Sequence, residues 1–267
     1  MKKRRPLVAG NWKMNYTAAE AAAVVQQLLR AVAMREDVDV VLCPSFLSLW
    51  RVHDVLKGER VQLGAQDVFW AASGAFTGSV SATMLAEAGV SYCVVGHSET
   101  RGRFGKLEVP ENAVGYFAET DETVRLKIEA LLGHGIAPIL CVGETLAERE
   151  AGQTDEVIAA QLRGALAGFD EAELAGLVIA YEPVWAIGTG KVCEVDEAER
   201  VCATLRHELE AMLGEELAER TRVLYGGSVK PDNARALFDQ PNIDGGLVGG
   251  ASLKADDFSK VIAAANA

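Results

Sequence analysis

Residues 177–225 read LVIAYEPVWAIGTGKVCEVDEAERVCATLRHELEAMLGEELAERTRVLY, and this stretch decides the fold. It begins with the short apolar run Leu177–Tyr181 and ends with a second one, Arg222–Tyr225. Between them lie a glycine-containing loop and the helical pattern Asp196–Leu213. Short apolar runs without polar alternation are typical of parallel strands that are buried on both faces. The stretch therefore predicts a strand–helix–strand unit of an α/β protein.

The same unit recurs along the whole chain. The six other predicted strands are Pro6–Gly10, Val38–Cys43, Val61–Ala65, Ser91–Gly96, Ala137–Val142 and Gly245–Gly249. The other clear helical patterns are Ala18–Ala33, Glu122–Gly133 and Thr154–Ala167, with Thr17, Thr154 and Asp196 expected as helix caps. Eight such units without a Pro-, Gly- or Ser-rich linker predict one closed (β/α)8 barrel domain over residues 1–267.

The composition narrows the classes of function. The chain is 49% apolar, and its formal net charge of −12 argues against nonspecific binding to nucleic acid or to an anionic membrane. The five cysteines show no Cys-x-x-Cys spacing, which favours a reducing compartment over a disulfide framework or a metal site. The basic start, Met1–Pro6, precedes too short an apolar run for a signal peptide, and no run could span a bilayer. We expect a cytoplasmic protein.

Polar residues follow several of the predicted strands directly. In barrels of this type the active site lies at the carboxyl ends of the strands, so these side chains should share one face. They are Asn11 and Lys13 after the first strand, His97 and Glu99 after the fourth, Glu182 after the sixth, Ser228 after the seventh and Ser252 after the eighth. Together with the glycine pairs of the last two loops they supply a carboxylate, an imidazole, a cation and two candidate anion-binding loops.

Most of these features also have a plainer interpretation. The glycine loops can be ordinary turns, Lys13 a solvated surface lysine and His97 a satisfied core histidine. Gly249 and Gly250, however, directly precede a helical pattern that we expect to open at Ser252. Glycine amides and a helix N-terminus both favour an anion, so an acidic protein could bind phosphate here without an arginine cluster.

Glu182 is harder to explain as a structural residue. It ends a buried strand and precedes the loop Pro183, Val184, Trp185, Ala186, Ile187, Gly188, Thr189, Gly190 and Lys191. Loops in water rarely expose valine, tryptophan and isoleucine together, so we expect this loop to be a lid that closes and excludes water. A carboxylate beneath such a lid loses hydration, which should raise its pKa and make it a stronger base.

At these residues the sequence resembles the triosephosphate isomerase family, and the resemblance runs nearly end to end. The matching motifs are AGNWKMN at residues 9–15, GAFTG at 74–78, GHSE at 96–99, YEPVWAIGTGK at 181–191, YGGSV at 225–229 and LVGGASL at 247–253. The resemblance implies a TIM barrel without cofactor or metal. It also implies interconversion of dihydroxyacetone phosphate and D-glyceraldehyde 3-phosphate through an enediolate, in glycolysis and gluconeogenesis.

The resemblance further implies a role for each motif residue. Glu182 would be the base and His97 a neutral electrophile, with Lys13 and Asn11 stabilising the developing charge. The substrate would contact Asn11, Lys13, Gly188, Ser228, Gly249 and Gly250, with Glu99, Tyr225 and Leu247 in support. Tyr225 and Ser228 would latch the closed lid over Ile187 and Leu247. Thr77 would reach toward Asn11 and Glu99 of a second subunit, which implies a homodimer.

The chain departs from the family pattern after Glu99. The family usually continues with two arginines and reaches a Gly-Glu pair within a few residues, whereas here Thr100 replaces one arginine and Glu119 comes 18 residues after Arg101. Residues 102–115 are therefore extra, and should project from the catalytic face near the subunit interface. They could be a plain surface loop, an added interface element or a modifier of substrate access. We expect Arg101 or Arg103 to pair with Glu119 or Glu99.

Two other functions remain compatible with the sequence. An isomerase of a related sugar phosphate, such as a four-carbon erythrulose phosphate, would need the same base, imidazole and phosphate loops. A noncatalytic barrel that binds phosphosugars is a second alternative, although the joint presence of Glu182, His97 and Lys13 argues against it.

Overall fold

The computed structural model describes residues 4–32, 35–106 and 109–265. In these ranges eight parallel strands form a closed barrel in which each strand pairs with the next along the chain. The first strand pairs with the eighth, with Leu7 opposite Gly245 and Gly10 opposite Val248. The predicted (β/α)8 barrel is therefore confirmed.

The strands lie within one residue of their predicted bounds at every end. They are β1 (Leu7–Asn11), β2 (Asp39–Cys43), β3 (Gln62–Ala65), β4 (Tyr92–Val95), β5 (Ala137–Val142), β6 (Val178–Tyr181), β7 (Arg222–Tyr225) and β8 (Gly245–Val248).

The α-helices surround the barrel, and the longest of them follows the 183–191 loop along the chain. They are α1 (Ala18–Val32), α2 (Leu49–Leu56), α3 (Ala82–Glu87), α4 (Asp121–Leu132), α5 (Leu146–Glu150), α6 (Thr154–Ala165), α7 (Val195–Leu213), α8 (Glu215–Arg220), α9 (Ala234–Phe238) and α10 (Ala255–Ala264). None of these helices is both long and apolar enough to cross a membrane. The predicted end of the first helix at Ala33 lies outside the described residues.

Only one of the three expected helix caps is confirmed. Thr17 accepts a hydrogen bond from the Glu20 amide, and the Glu20 carboxylate accepts one from the Thr17 amide at 2.8 Å. Thr154 is instead the first helical residue of α6. Asp196 lies inside α7, where it places negative charge in the first turn rather than capping it.

Alternate residues of each strand face two different apolar layers. Leu7 and Ala9 point into the barrel, where they pack with side chains of β2, β4, β5, β6, β7 and β8. Val8 points outward into the layer between strands and helices. Both layers exclude water, so both sets of positions must be apolar, which explains the continuous apolar runs of the sequence.

The connection between β4 and α4 contains Arg101 and Arg103, which the sequence predicted to pair with Glu119 or Glu99. The expected partners are wrong: Arg101 donates to Gly96 O at 2.7 Å and pairs with Asp121 at 2.6 Å, and Arg103 pairs with Glu148. These partners lie nearer in space than Glu119 because the connection turns sharply after His97, where Thr100 and Arg101 both donate to the His97 carbonyl.

Glu119 is held by other groups. Its carboxylate accepts a hydrogen bond from Thr100 Oγ1 at 2.6 Å and pairs with Lys127 of α4. Lys127 Nζ also contacts Asp67 Oδ1 at 2.6 Å, and its side chain is only 8% exposed. One buried ammonium group therefore compensates two carboxylates, and this cluster fixes α4 to the carboxyl ends of β3 and β4.

We predict that Lys127→Ala destabilises the protein by about 3–5 kcal/mol, because removing one partner of a buried ion pair leaves the other charge uncompensated. Lys57→Ala is the matched control: it breaks the exposed pair with Asp54, where both side chains are more than half exposed, and should leave stability nearly unchanged. Urea unfolding measures both. Equal losses for the two variants would contradict this account of the cluster.

Candidate active site

The carboxyl ends of the strands surround a cavity of about 770 Å³. The sequence-predicted residues that line it are Asn11, Lys13, His97, Glu182, Ala186, Ile187, Gly188, Ser228, Leu247, Gly249 and Gly250. Glu99 lies behind Lys13 as its ion-pair partner, and Tyr225 lies behind Gly227. Thr77 is placed apart from this group, exposed on the connection between β3 and α3.

Glu182 follows β6 directly and points into the barrel mouth. Its side chain is 2% exposed, and Oε1 lies 2.9 Å from His97 Nε2. The other carboxylate oxygen accepts a hydrogen bond from the Ser98 amide at 2.9 Å. The carboxylate therefore faces two donors supplied by the residues that follow β4.

The hydrogen bonds of His97 define the state of its ring. Nδ1 accepts a hydrogen bond from the Glu99 amide at 3.1 Å, which requires a lone pair on this nitrogen. The proton of a neutral imidazole is then on Nε2, where it can be donated to Glu182. The turn after β4 thus aims a neutral N–H donor into the cavity, which is the arrangement expected of an electrophile rather than of a core histidine.

The two side chains shift each other's pKa. Burial raises the pKa of Glu182, but the His97 ring, the Ser98 amide and Lys13 outweigh it and hold the pKa below its ordinary value. Burial lowers the pKa of His97, and the adjacent Glu182 carboxylate raises it by more. The sequence-based expectation that the pKa of Glu182 is raised is therefore wrong for this arrangement, because it considered burial without the His97 contact.

Lys13 is held in a conformation that a plain surface lysine does not need. Its φ of 51° lies in the left-handed region, which costs a residue with a side chain free energy. The Lys13 amide donates to Asn11 Oδ1 at 3.0 Å, its carbonyl accepts from Gln66 Nε2 at 2.8 Å, and its ammonium group pairs with Glu99. These contacts direct the ammonium group into the cavity mouth.

Glycines of the loop after β7 are required by crowding. A Cβ on Gly226 would lie 3.0 Å from Glu182 Cγ, and one on Gly227 would lie 2.5 Å from Tyr225 Cζ and 3.0 Å from Pro183 Cγ. The Gly226 amide also donates to Tyr181 O at 2.7 Å. This loop is therefore more than a turn, because it packs directly against Glu182 and Pro183.

The loop after β8 differs from the prediction in its local structure. The expected helix at Ser252 is wrong: a 3-10 turn spans Gly250–Leu253, and α10 begins only at Ala255. A Cβ on Gly250 would meet nothing within 4 Å, so packing inside the chain does not require this glycine. Trp12 Nε1 donates to Ser252 O at 3.1 Å and fixes the turn to the end of β1.

The lid consists of a buried half and an exposed half. Val184 and Trp185 are 1% and 7% exposed, so the apolar side chains of this half are shielded from water. They lie in a 3-10 turn, Val184–Ala186, whereas Gly188 and Gly190 are exposed, with φ values of 69° and 80°.

Comparison with known proteins agrees with this geometry. The model of the family described as triosephosphate isomerase matches residues 6–265. The chain belongs to the triosephosphate isomerase family. The triosephosphate isomerase of Rhodopirellula baltica is 50% identical over 262 residues, which cover 98% of each chain. That of Carboxydothermus hydrogenoformans is 46% identical over 259 residues, covering 97% of this chain and 98% of the relative. The crystal structure of triosephosphate isomerase from Bartonella henselae gives a TM-score of 0.84 at 36% identity, covering 97% and 98% of the two chains.

Two residues that sequence reasoning missed support the site of this triosephosphate isomerase family member. Gln66 donates to the carbonyls of Lys13 and Cys43, each at 2.8 Å. Glu144 is fully buried and accepts hydrogen bonds from Trp185 Nε1 at 2.8 Å and Tyr181 OH at 3.2 Å. Gln66 directly follows β3 and Glu144 lies just past β5, so both carry the signal of a polar residue after a strand.

We predict that Glu182→Gln lowers the pKa of His97, because it removes the carboxylate that raises this pKa most. Burial and Lys13 still lower the pKa in the variant, and the Glu99 carboxylate, 3.7 Å from Nδ1, raises it by less. Histidine ring NMR as a function of pH measures this, and His97→Gln identifies the resonance among the four histidines. His207, which is exposed in α7, serves as an internal control, and its ring resonances should be the same in wild type and variant. An unchanged pKa of His97 in Glu182→Gln would contradict the coupling.

Proposed function

We propose that the protein interconverts dihydroxyacetone phosphate and D-glyceraldehyde 3-phosphate through an enediolate, in glycolysis and gluconeogenesis. The observation that carries the proposal is the 2.9 Å contact between the Glu182 carboxylate and His97 Nε2 inside the strand-end cavity. A base and an electrophile that already face each other can act on two neighbouring atoms of one small substrate.

Glu182 removes a proton from the carbon beside the substrate carbonyl. To do so it exchanges the His97 and Ser98 donors for the substrate C–H. Because those donors hold its pKa down, their loss leaves burial as the main influence, and the carboxylate becomes a stronger base at that moment. The same carboxyl group returns the proton to the neighbouring carbon, so the enzyme leaves the reaction unchanged.

His97 stabilises the charge that develops on the carbonyl oxygen. Once Glu182 moves away, burial and Lys13 lower the pKa of His97 by more than the Glu99 carboxylate raises it, and the Glu99 amide still donates to Nδ1. The neutral ring is then favoured, and its Nε2–H can donate to that oxygen. Lys13 adds a positive charge, and Asn11 holds the Lys13 backbone in place through its side-chain oxygen. Donors fixed before the reaction stabilise the transition state without reorganisation.

The substrate phosphate binds at the glycine loops. Gly188, Ser228, Gly249 and Gly250 line the cavity. Lys13, Lys230 and Lys254 line it too, and these three cations outnumber the two carboxylates other than Glu182 that do so, Asp232 and Asp257. These cations and the exposed loop amides attract a phosphate dianion locally despite the net charge of −12. The exposed half of the lid then closes over Ile187 and Leu247, latched by Tyr225 and Ser228. Closure keeps water out and hinders loss of phosphate from the enediolate.

We predict that Glu182→Asp lowers kcat by about 100-fold or more, because shortening the side chain by one methylene moves the base away from the C–H bond. A coupled assay of wild type and variant measures this, with erythrulose 4-phosphate as the comparison substrate. KM should change much less than kcat, since the phosphate contacts stay in place. Absence of isomerase activity in the wild type, or an unchanged kcat in the variant, would contradict the mechanism.

We further propose that the protein is a cytoplasmic homodimer. Large apolar side chains are exposed on the adjacent connections that follow the first three strands: Met14, Phe46, Leu47, Trp70 and Phe76. Exposed apolar residues gathered on one side support a subunit interface there, with Thr77 at its centre. All five cysteines are free and buried, which suits a reducing compartment.

We predict that Thr77→Arg weakens the dimer, because it places a charged, bulky group in the centre of this surface. Sedimentation equilibrium should give twice the chain mass of 28.5 kDa for the wild type and a shift toward the single chain for the variant. Lys57→Arg, on the exposed end of α2, is the control and should leave the mass unchanged. A monomeric wild type would rule out the dimer.

A further inference from the structure

Residues 102–106, at the start of the extra segment, lie against the lid. A Cβ on Gly105 would lie 2.5 Å from Ile187 O, still nearer to Val184 O, and 3.2 Å from Thr189 Cγ2. These atoms belong to the 3-10 turn of the lid and to the residues just after it. The backbone of the segment thus touches the lid where its buried half meets its exposed half.

The identity of residue 105 is explained by this contact. Gly105 is not among the glycines with positive φ, so its backbone conformation is one that any residue could adopt. What excludes a side chain is the closeness of two lid carbonyls. A plain surface loop would not place a glycine under such crowding.

Arg103 anchors the segment in this position. Its amide donates to Ser98 O at 2.9 Å, its Nη2 donates to Gly143 O at 3.1 Å, and its guanidinium group pairs with Glu148. Gly143 itself packs so closely on the Glu182 backbone that a Cβ there would overlap Glu182 O. The segment is therefore tied to the same backbone that supports the base.

The two ends of the extra segment contact each other through residues 102–104 and Phe117. The Phe104 and Phe117 rings meet edge to face with centroids 5.6 Å apart. Gly102, at a φ of 68°, turns the chain directly against Phe117 O. Contacts at both ends keep residues 103–105 from moving independently of the barrel.

We infer that Arg103 and Gly105 are positioning residues for the lid: Gly105 is the surface on which the first turn of the lid rests, and Arg103 holds that surface in place. This inference rests on the proposed function for its kinetic consequence, but the contact itself can be tested without activity. Of the three interpretations of the extra segment, it selects the modifier of substrate access.

The test compares Gly105→Ala with Gly115→Ala. Gly115 lies in the same segment, also lacks a positive φ, and a Cβ there would meet nothing within 4 Å. Amide hydrogen exchange of the peptide that contains residues 183–191 should be faster in Gly105→Ala and unchanged in Gly115→Ala. Equal exchange in the two variants overturns the inference, whether or not the protein is an isomerase.

Kinetics test the consequence for the reaction. Gly105→Ala should lower kcat/KM by at least about tenfold, since a displacement of 1 Å can cost about 100-fold. A displaced lid should also let more of the enediolate eliminate its phosphate. In that step the electron pair of the enediolate oxygen forms a carbonyl, the C=C bond shifts to the phosphate-bearing carbon, and the C–O bond there breaks with its electron pair leaving on phosphate. The inorganic phosphate released per isomerisation is a ratio that loss of folded enzyme does not change. It should rise in Gly105→Ala and in Arg103→Ala, with partial rescue in Arg103→Lys, and stay at the wild-type value in Gly115→Ala. A wild-type ratio in Gly105→Ala overturns the positioning role.

Discussion

The site depends on the burial of one carboxylate, that of Glu182, at the mouth of the barrel. Glu182 is almost fully buried, and a buried charge is tolerated only when other groups compensate it. His97 and the Ser98 amide supply that compensation from the turn after β4. In the proposed mechanism the carboxylate gives up these two donors when it removes the substrate proton. The contact that holds its pKa down at rest is thereby lost, and the pKa rises at that step.

The backbone around Glu182 is built to bring it this close. Gly143 on one side and Gly226 on the other both approach Glu182 so nearly that a Cβ would overlap its carbonyl or crowd its Cγ. Strands β5, β6 and β7 carry these residues at their carboxyl ends, and the closed barrel fixes the spacing between them. The lid begins at the next residue, Pro183, so the position of the base and the position of the lid are set together.

The sequence predicted the barrel because its strands are buried on both faces, which leaves continuous apolar runs that end within a residue of the observed strands. It predicted the site because residues after parallel strands must meet at one end. The pKa direction of Glu182 could not be predicted, since it depends on a contact with the turn after β4, 84 residues earlier in the chain. The predicted ion-pair partners of Arg101 and Arg103 were wrong for a related reason. The chain offers several carboxylates, and only the fold decides which of them lies close enough to pair. Gln66 and Glu144 also follow strands directly or nearly so, and the same pattern could have predicted both.

The central claim is that a carboxyl group carries the proton between two substrate carbons, and isotope uptake tests it most directly. A proton held on Glu182 can exchange with solvent before it returns to the substrate. Isomerisation of dihydroxyacetone phosphate in ²H₂O, followed by NMR, should therefore place deuterium at the carbon beside the aldehyde of the product. Product formed without deuterium at that carbon, and at the same rate by Glu182→Gln, would mean that hydrogen moves between the carbons without passing through the carboxyl group, and would contradict the account.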